Sequence, residues 1–243
     1  MRLTSLHCEQ KPVPAWEENR VPHLQGQEVH LWRIDVDQSD YILNHLEELI
    51  SPEEQLRANK FFHLPDRLRF VLGRGGLKQL LSLYSNTPSS NIRLKIGPHG
   101  KPFVQAPEKL HFNISHSGNW VLIAIGNKEL GIDVEKITGE FITDSLLEQC
   151  FHRHELKLIS ESEDPVVEFF KFWTRKEAFL KATGTGIVDD LQAITCMEGS
   201  QQWEFPSLSL ERNWHIKSFI MNPSYAVSLC STIQNPSIRF FNF

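Results

Sequence analysis

An α+β fold is predicted for this chain, and three features of the sequence support the prediction. Strand-like and helix-like segments follow one another along most of the 243 residues, and the apolar fraction of 40% is enough for a hydrophobic core. Two amphipathic stretches, residues 69–81 and 171–183, resemble each other, and each is followed by a loop and then by strand-like sequence. They indicate either two similar α+β halves with a cleft at their junction or two amphipathic helices that are alike by default.

The first third of the chain is predicted to form an extended lead-in, one strand and three helices. Three prolines among polar residues make residues 1–27 an extended segment. Ser51 is suited to cap a helix, because Pro52 then occupies the first helical position and two acids follow. The predicted strand covers 29–36, and the predicted helices cover 40–49, the segment that begins at 52, and 66–84.

Strand-like segments dominate the remainder of the chain. The predicted strands are 91–96, 110–116, 121–125, 130–134, 193–197, 202–205, 214–221 and 225–232, and the last four are expected to form an antiparallel meander. We divide the chain into an extended segment (1–27), an N-terminal half (28–110) and a C-terminal half (111–243) that carries the helix at 171–183.

Composition and charge exclude several classes of protein. A net charge of −5 argues against a nucleic-acid or membrane partner, and the longest apolar run, residues 121–125, is far too short to span a bilayer. The N-terminus lacks the apolar core of a signal peptide. The four cysteines are isolated, which argues for a reducing compartment and against a zinc site. We expect a soluble, cytoplasmic protein.

A polar stripe runs along the helix predicted at 172–183. Trp173, Glu177 and Lys181 are spaced at i, i+4 and i+8 and therefore lie on one side. Glu177 and Lys181 could form nothing more than a surface ion pair worth ~0.3–0.5 kcal/mol. A second interpretation comes from the segment at 131–135.

Two carboxylates lie close together on the strand predicted at 130–134. Because alternate side chains of a strand share a face, Asp133 and Glu135 point one way, and Ile132 and Val134 point toward a core. Two carboxylates ~5 Å apart repel by roughly 3 kcal/mol at an effective dielectric of about 20. Solvent, an arginine or a cation can relieve that repulsion, and hard oxygen ligands of this kind suit Mg²⁺. Glu177 in the same place would increase the need for a cation.

Several hydrogen-bond donors precede this strand. Lys101 follows a glycine in the loop at 97–102, and glycine allows the backbone to approach a ligand closely. Asn113, Ser115 and His116 follow in the next strand and can donate to phosphate or to a base edge. Each of these residues also has an ordinary structural explanation, so it is their clustering before the acidic strand that indicates a ligand site.

Three of these segments resemble the signature stretches of a known family. The segments are HFNISHSGNW (residues 111–120), GIDVE (131–135) and FWTRKEAFLKATG (172–184), with GKP at 100–102 as a fourth match. They resemble the larger, single-chain 4′-phosphopantetheinyl transferases, the surfactin-synthetase-activating type, and the chain looks closest to cyanobacterial members. The resemblance covers residues 28–230.

The resemblance implies a fold, a reaction and a set of site residues. Its fold is a pseudo-dimer of two similar α+β halves with coenzyme A at their junction, and its partners are acyl and peptidyl carrier proteins of fatty-acid, polyketide and nonribosomal-peptide assembly. Members of the family act as monomers with Mg²⁺. The matching positions are Asp133, Glu135 and Glu177 for the metal; Lys181 for the pyrophosphate; Asn113, Ser115 and His116 for the phosphates of coenzyme A; Lys101 and Pro102 for the adenine side; and Arg57 for the 3′-phosphate.

The chain differs from the family at two positions expected to contact the 3′-phosphate of coenzyme A. Some members have a threonine at the position of Phe70 and a lysine at the position of Glu54, but phenylalanine cannot donate a hydrogen bond and a glutamate would repel phosphate. Recognition of this group would then fall to Arg57, Arg69 and His116.

The predicted reaction transfers 4′-phosphopantetheine from coenzyme A to a carrier-protein serine and converts an apo carrier to its holo form. Glu177, Lys181 and Asp133 are the predicted catalytic residues, because phosphoryl transfer needs positioning and charge neutralisation. Two alternatives remain open from the sequence: a coenzyme A-binding regulatory protein without activity, and a Mg²⁺-dependent hydrolase of nucleotide pyrophosphates.

Overall fold

Two β-sheets with helices on their outer faces form the fold of this protein. A computed structural model describes residues 3–12, 14–17, 23–97, 100–104, 110–186, 191–204 and 213–243. The strands are β1 (Leu3–Gln10), β2 (Glu28–Asp35), β3 (Leu94–Ile96), β4 (Pro102–Val104), β5 (His111–Ser117), β6 (Trp120–Gly126), β7 (Leu130–Lys136), β8 (Gly199–Glu204), β9 (Asn213–Ile220), β10 (Tyr225–Ser231) and β11 (Ser237–Asn242). The helices are α1 (Asp40–Leu49), α2 (Pro52–Ala58), α3 (Leu64–Ser85), α4 (Asp144–Cys150), α5 (Arg153–Glu161) and α6 (Pro165–Thr183).

Most predicted elements of the N-terminal half are confirmed. The strand and three helices occur where the sequence pattern places them, and Ser51 forms a reciprocal capping box with Glu54 at the start of α2. The strand predicted at 91–96 is shorter, because residues 89–91 form a 3₁₀ turn before β3. Within the described residues, no helix is long and apolar enough to cross a membrane.

The two halves share one topology, which confirms the predicted α+β pseudo-dimer. One sheet has the order β11-β2-β6-β5 and the other has the order β7-β10-β9-β1-β8. In each half the first strand is followed by a long helix (α3 or α6) and then by two antiparallel strands, and the last of these pairs with the first strand. The resemblance between residues 69–81 and 171–183 therefore reflects equivalent places in the fold.

The two equivalent helices differ at the position where one has an acid and the other has a glycine. Gly75 on α3 corresponds to Glu177 on α6. A Cβ atom at Gly75 would lie 2.3 Å from the carbonyl oxygen of Leu46, because α1 packs directly on α3 there. The first half thus uses this position for helix packing, and the acid is found in the second half alone.

Strands from the two ends of the chain are exchanged between the halves. β1 lies between β9 and β8 in the second sheet, and β11 pairs in parallel with β2 in the first. The N-terminal residues 3–10 are therefore a sheet strand rather than part of a lead-in segment. The expected meander of four strands is also wrong, since β8 pairs with β1 and not with β9.

The sheet pairing also bears on the division into halves. β5 and β6 are hydrogen-bonded to the sheet of β2, although the sequence analysis assigned residues 111–126 to the C-terminal half. We therefore propose that the junction lies at residues 127–129, in place of the boundary after residue 110.

The prediction of a strand at 193–197 is wrong, because hydrogen bonds from a buried ion pair set the backbone conformation of this segment. Residues 191–193 form a 3₁₀ turn. Lys176 on α6 donates to the carbonyl oxygens of Leu191 and Ile194 and pairs with Glu155 at 2.7 Å, with both side chains fully buried. Glu155 also accepts from the Cys196 backbone N–H at 2.8 Å. Side chains therefore satisfy the backbone here, and a neighbouring strand is not needed.

A glycine in β7 sets how closely α6 approaches the second sheet. A Cβ atom at Gly131 would lie 2.3 Å from the Ala178 carbonyl oxygen and 2.3 Å from the Ala182 nitrogen. Gly131 is on the same face of β7 as Asp133 and Glu135, because these residues alternate along the strand. The missing side chain thus lets the helix backbone lie directly against the strand that carries the two acids.

Gly131→Ala is therefore expected to be strongly destabilising, because the added methyl group would overlap backbone atoms of α6, which cannot move away as a flexible side chain could. We expect a loss of at least ~2–3 kcal/mol in the free energy of unfolding, measured by urea denaturation. Gly139→Ala is the matched control, since its nearest contact would be an ordinary 3.8 Å to the Val166 side chain. Equal, small effects of the two substitutions would contradict this account of the packing.

Candidate active site

A cavity of about 820 Å³ lies where α6 faces β7 and the end of β5. Both periodicity predictions are confirmed here: Trp173, Glu177 and Lys181 line the cavity from one side of α6, and Asp133 and Glu135 line it from β7. Ile132 and Val134 point to the opposite side and are buried in a core between the sheets. Other lining residues include Ser115, His116, Gln149, Cys150, Leu180, Leu191 and Gln192.

Asp133 is the most buried acid of the cavity, with 2% of its surface exposed. Its Oδ1 accepts from Lys181 Nζ at 2.5 Å and from Ser115 Oγ at 2.9 Å. Its Oδ2 is buried and has no hydrogen-bond partner within the described ranges. A buried carboxylate oxygen without a partner is costly, and it is the clearest feature here that fits a bound cation.

The hydroxyl group of Ser115 is fully used by the protein. It donates its one proton to Asp133 and accepts from the Val134 backbone N–H at 3.3 Å and from Lys181 Nζ at 3.1 Å. A serine hydroxyl has one donor and two acceptor sites, so this set leaves none over. A contact between Ser115 and a coenzyme A phosphate stays a prediction, and it requires one of these bonds to be given up.

The two glutamates of the cavity hold their protons more tightly than usual. Burial raises the pKa of Glu135 to about 7, and the negative charge of Asp133 adds to this effect, while the hydrogen bond from Ser117 and the charge of Lys181 oppose it. The pKa of Glu177 is also raised, first by burial and then by Asp133. The three carboxylates are therefore close enough to interact electrostatically, as the sequence analysis predicted.

The donor set fits a divalent cation in its chemistry. Three carboxylates, one buried oxygen without a partner and two raised pKa values describe a place where negative charge is under-compensated. Within the part of the chain that the structure describes, however, no group of three or more His, Cys, Asp or Glu side chains is already arranged to hold a metal. The Lys181 ammonium instead forms an ion pair with Asp133 and balances its negative charge.

Lys101 holds the end of α6, a role that the sequence analysis did not predict. Its Nζ donates to the carbonyl oxygens of Ala182 and Leu130, each at 2.9 Å. Burial lowers the pKa of Lys101 to about 8. α6 ends at Gly184, whose φ of +69° favours glycine, and the stem of Lys101 packs against that residue. This lysine thus joins the loop before β4 to the C-terminus of the helix.

A smaller cavity of about 250 Å³ shares part of its wall with the larger one. Lys101, Pro102 and Asn113 line it together with Glu177 and Lys181. The structure therefore brings the residues predicted for the adenine side next to the predicted catalytic pair.

His116 lines the larger cavity, and the charge of Arg69 acts on it. Burial of the ring, followed by the positive charges of Arg69 and Lys181, lowers the pKa of His116, although the residue as a whole is exposed. Arg69 donates to the Gly118 carbonyl oxygen at 2.7 Å and pairs with Asp66. His116 is therefore a neutral hydrogen-bonding group near pH 7.

Arg57 is separate from this group. It lines a different cavity of about 790 Å³, where its guanidinium lies 5.1 Å from the ring centre of Phe70. Glu54 lines the same cavity and pairs with Lys78 at 2.9 Å. The negative charge of Glu54 is thus balanced by Lys78, and the ring of Phe70 packs against the Arg57 guanidinium.

Ser117 is a site residue that sequence reasoning missed. Its hydroxyl donates to Glu135 Oε2 at 2.8 Å and accepts from the Lys136 backbone N–H at 3.0 Å. Its position two residues after Ser115, on the same face of β5, is the sequence feature that points to it.

Comparison with known proteins places the chain in a family. Residues 36–128 match a model described as 4′-phosphopantetheinyl transferase, N-terminal, and residues 129–230 match the 4′-phosphopantetheinyl transferase superfamily. The chain is 36% identical over 196 residues to the 4′-phosphopantetheinyl transferase HetI of Nostoc, a match covering 77% of this chain and 83% of that protein. It is 29% identical over 187 residues to Sfp of Bacillus subtilis, covering 75% of this chain and 82% of that protein.

The chain belongs to the 4′-phosphopantetheinyl transferase superfamily. The resemblance seen in the sequence is confirmed, including its cyanobacterial character, since HetI comes from a cyanobacterium. The protein is accordingly an enzyme, a 4′-phosphopantetheinyl transferase of the Sfp type.

Glu135→Gln is expected to stabilise the metal-free protein at pH 8 and to change little at pH 4. Because the folded-state pKa of about 7 exceeds the ordinary 4.5, the folded protein retains this proton longer, and the free energy of unfolding falls as the pH rises between those values. The shift corresponds to at most ~3 kcal/mol, reduced by solvent around the half-buried group. Urea denaturation in EDTA measures it, with the exposed Glu161→Gln as control.

Lys101→Met is expected to lower the free energy of unfolding by ~2 kcal/mol without coenzyme A, because two carbonyl oxygens lose a charged donor. Thermal denaturation measures this, and Lys95→Met, an exposed lysine on β3, is the control. Unchanged stability together with weaker coenzyme A binding would assign Lys101 to the ligand alone.

Proposed function

We propose that this enzyme transfers 4′-phosphopantetheine from coenzyme A to a serine of an acyl or peptidyl carrier protein, in the cavity between α6 and β7. The observation that carries the proposal is the meeting of Asp133, Glu177 and Lys181 on one cavity of a chain from this family. An acid and a base from α6 there face an acid from β7, and phosphoryl transfer depends on such positioned charges.

Coenzyme A is proposed to bind across the two joined cavities. Pro102 lines the smaller one and would face the adenine side, while Ser115, His116 and Lys181 of the larger one would face the phosphates. His116, neutral and exposed, would donate to a phosphate oxygen. Arg69, whose charge acts on His116, is our candidate for the 3′-phosphate, ahead of Arg57 in its separate cavity.

Each catalytic side chain has a role in the proposed step. The carrier serine oxygen forms a bond to the phosphorus next to pantetheine, and the bond from that phosphorus to the pyrophosphate bridge breaks, so that adenosine 3′,5′-bisphosphate leaves. Glu177 accepts the serine proton, directly or through water, which its raised pKa favours. Lys181 neutralises the charge that develops on the leaving phosphate.

The three carboxylates are the proposed ligands of Mg²⁺. When bound, the ion would neutralise the pyrophosphate and draw it toward the cavity. Asp133, Glu135 and Glu177 would hold it, and Lys181 would then be available to the phosphate in place of Asp133.

The two alternative functions make different products. A regulatory coenzyme A-binding protein leaves coenzyme A intact, and a hydrolase releases phosphopantetheine with no acceptor protein. Mass gain on an apo carrier protein supplied with coenzyme A and Mg²⁺ supports the transferase and excludes both. A monomeric state and a cytoplasmic location remain predictions.

Glu177→Gln is expected to reduce turnover at least ~10³-fold, because the variant loses both a metal ligand and the proton acceptor. Coenzyme A binding, measured by calorimetry, should remain detectable. Turnover is measured as mass gain on an apo carrier protein.

Glu168→Gln on the same helix is the matched control, because Glu168 pairs with Lys171 and does not line the cavity. It should retain turnover within ~2-fold. Normal turnover of Glu177→Gln would disprove the role proposed for this residue.

A further inference from the structure

The two halves are joined at β5 and β7 by a row of side-chain hydrogen bonds. Asn113 Oδ1 accepts from the Ile132 backbone N–H at 2.9 Å, Ser115 Oγ from Val134 at 3.3 Å, and Ser117 Oγ from Lys136 at 3.0 Å. The three acceptors alternate along β5, and the three donors alternate along β7 in the same register. We call this row the side-chain ladder, and each acceptor a rung.

The ladder replaces the pairing that two neighbouring strands usually have. β5 and β7 lie side by side, both strands are fully described, and no backbone hydrogen bond joins them. Side-chain oxygens from β5 take the place of carbonyl oxygens as acceptors for the N–H groups of β7. The middle rung, Ser115, also lines the cavity.

The rungs also act on the acids of β7. Ser115 accepts the N–H of residue 134 and donates to the side chain of residue 133, and Ser117 accepts the N–H of residue 136 and donates to the side chain of residue 135. The first rung follows the same register, but residue 131 is glycine and has no side chain to receive a proton. The rung there is an asparagine, whose acceptor oxygen carries no hydrogen. Hydroxyl groups thus occur at the two rungs that face a carboxylate.

We infer that Ser117 is a positioning residue for this enzyme, which fixes the Glu135 carboxylate toward the cavity as Ser115 fixes that of Asp133. The hydroxyl is held by the Lys136 N–H, so its proton is directed at Oε2 of Glu135, a residue that lines the cavity. This inference rests on the proposed function, in which Glu135 binds Mg²⁺. Partners that orient a metal ligand commonly change metal affinity or activity ~10–100-fold when they are removed.

The test compares Ser117→Ala, Ser117→Thr and Asn113→Ala. Ser117→Ala should weaken Mg²⁺ binding about 10-fold, measured by titration calorimetry with Mg²⁺ alone, and should raise the Mg²⁺ concentration for half-maximal turnover by a similar factor. At saturating Mg²⁺, kcat should recover to within ~3-fold. Ser117→Thr restores the hydroxyl and should restore the affinity.

Asn113→Ala separates positioning from simple loss of a rung. It removes a backbone acceptor of the same ladder without removing a donor to a carboxylate. Both alanine variants should lower the melting temperature by a few degrees, because each leaves a backbone N–H without its partner. The Mg²⁺ affinity should fall in Ser117→Ala and not in Asn113→Ala.

Three outcomes would overturn the inference. Unchanged Mg²⁺ affinity in Ser117→Ala, with Glu135→Gln weakened, rejects the role of Ser117 and leaves the proposed function intact. Equal weakening in Asn113→Ala shows that the ladder acts on the fold alone. If Glu135→Gln leaves Mg²⁺ binding unchanged, Glu135 is not a metal ligand, and the role inferred for Ser117 is rejected as well.

Discussion

The close contact between α6 and β7 at Gly131 is the constraint on which the site depends. Because no side chain separates helix and strand there, the next two residues on that face of β7 with side chains, Asp133 and Glu135, lie against the turn of α6 that carries Glu177 and Lys181. In the first half, α1 covers α3 at Gly75, the position that corresponds to Glu177, and the glycine supplies no acid there. The acid that α6 contributes to the cavity therefore has no counterpart on α3, although the two halves share one topology.

Burying the three carboxylates of the cavity costs free energy, and the protein balances the negative charge of each one to a different degree. Lys181 and Ser115 donate to one oxygen of Asp133, and none of the described residues donates to the other; Ser117 donates to Glu135, and Glu177 has the nearby charge of Lys181. If these carboxylates bind Mg²⁺ as proposed, stability and function make opposite demands, since a fully paired set of carboxylates would have little affinity for a cation. The raised pKa values of both glutamates reflect their burial beside the charge of Asp133.

Local periodicity predicted much of the site, and long-range contacts account for what it missed. Strand alternation placed Asp133 and Glu135 together, and helical spacing placed Glu177 and Lys181 beside them, because both patterns depend only on neighbours in sequence. The Lys101 bonds to α6 and the ion pair between Lys176 and Glu155 join remote segments, and no periodicity reports such contacts. The sequence also could not show which sheet β5 and β6 complete, because strand pairing joins remote segments.

The exchange of β1 and β11 between the sheets has a consequence for how the molecule is made. Neither half contains all of its own strands, and the hydrogen bond between Ser5 and Asn213 joins positions 208 residues apart. During synthesis β1 cannot pair with its neighbours in the sheet until residues 199–218 have been made, and the sheet of β2 gains an edge strand from residues 237–242. The two halves therefore cannot fold one after the other as the chain is made. Protection of the unpaired β1 by chaperones would matter more for this enzyme than for a protein whose halves fold independently.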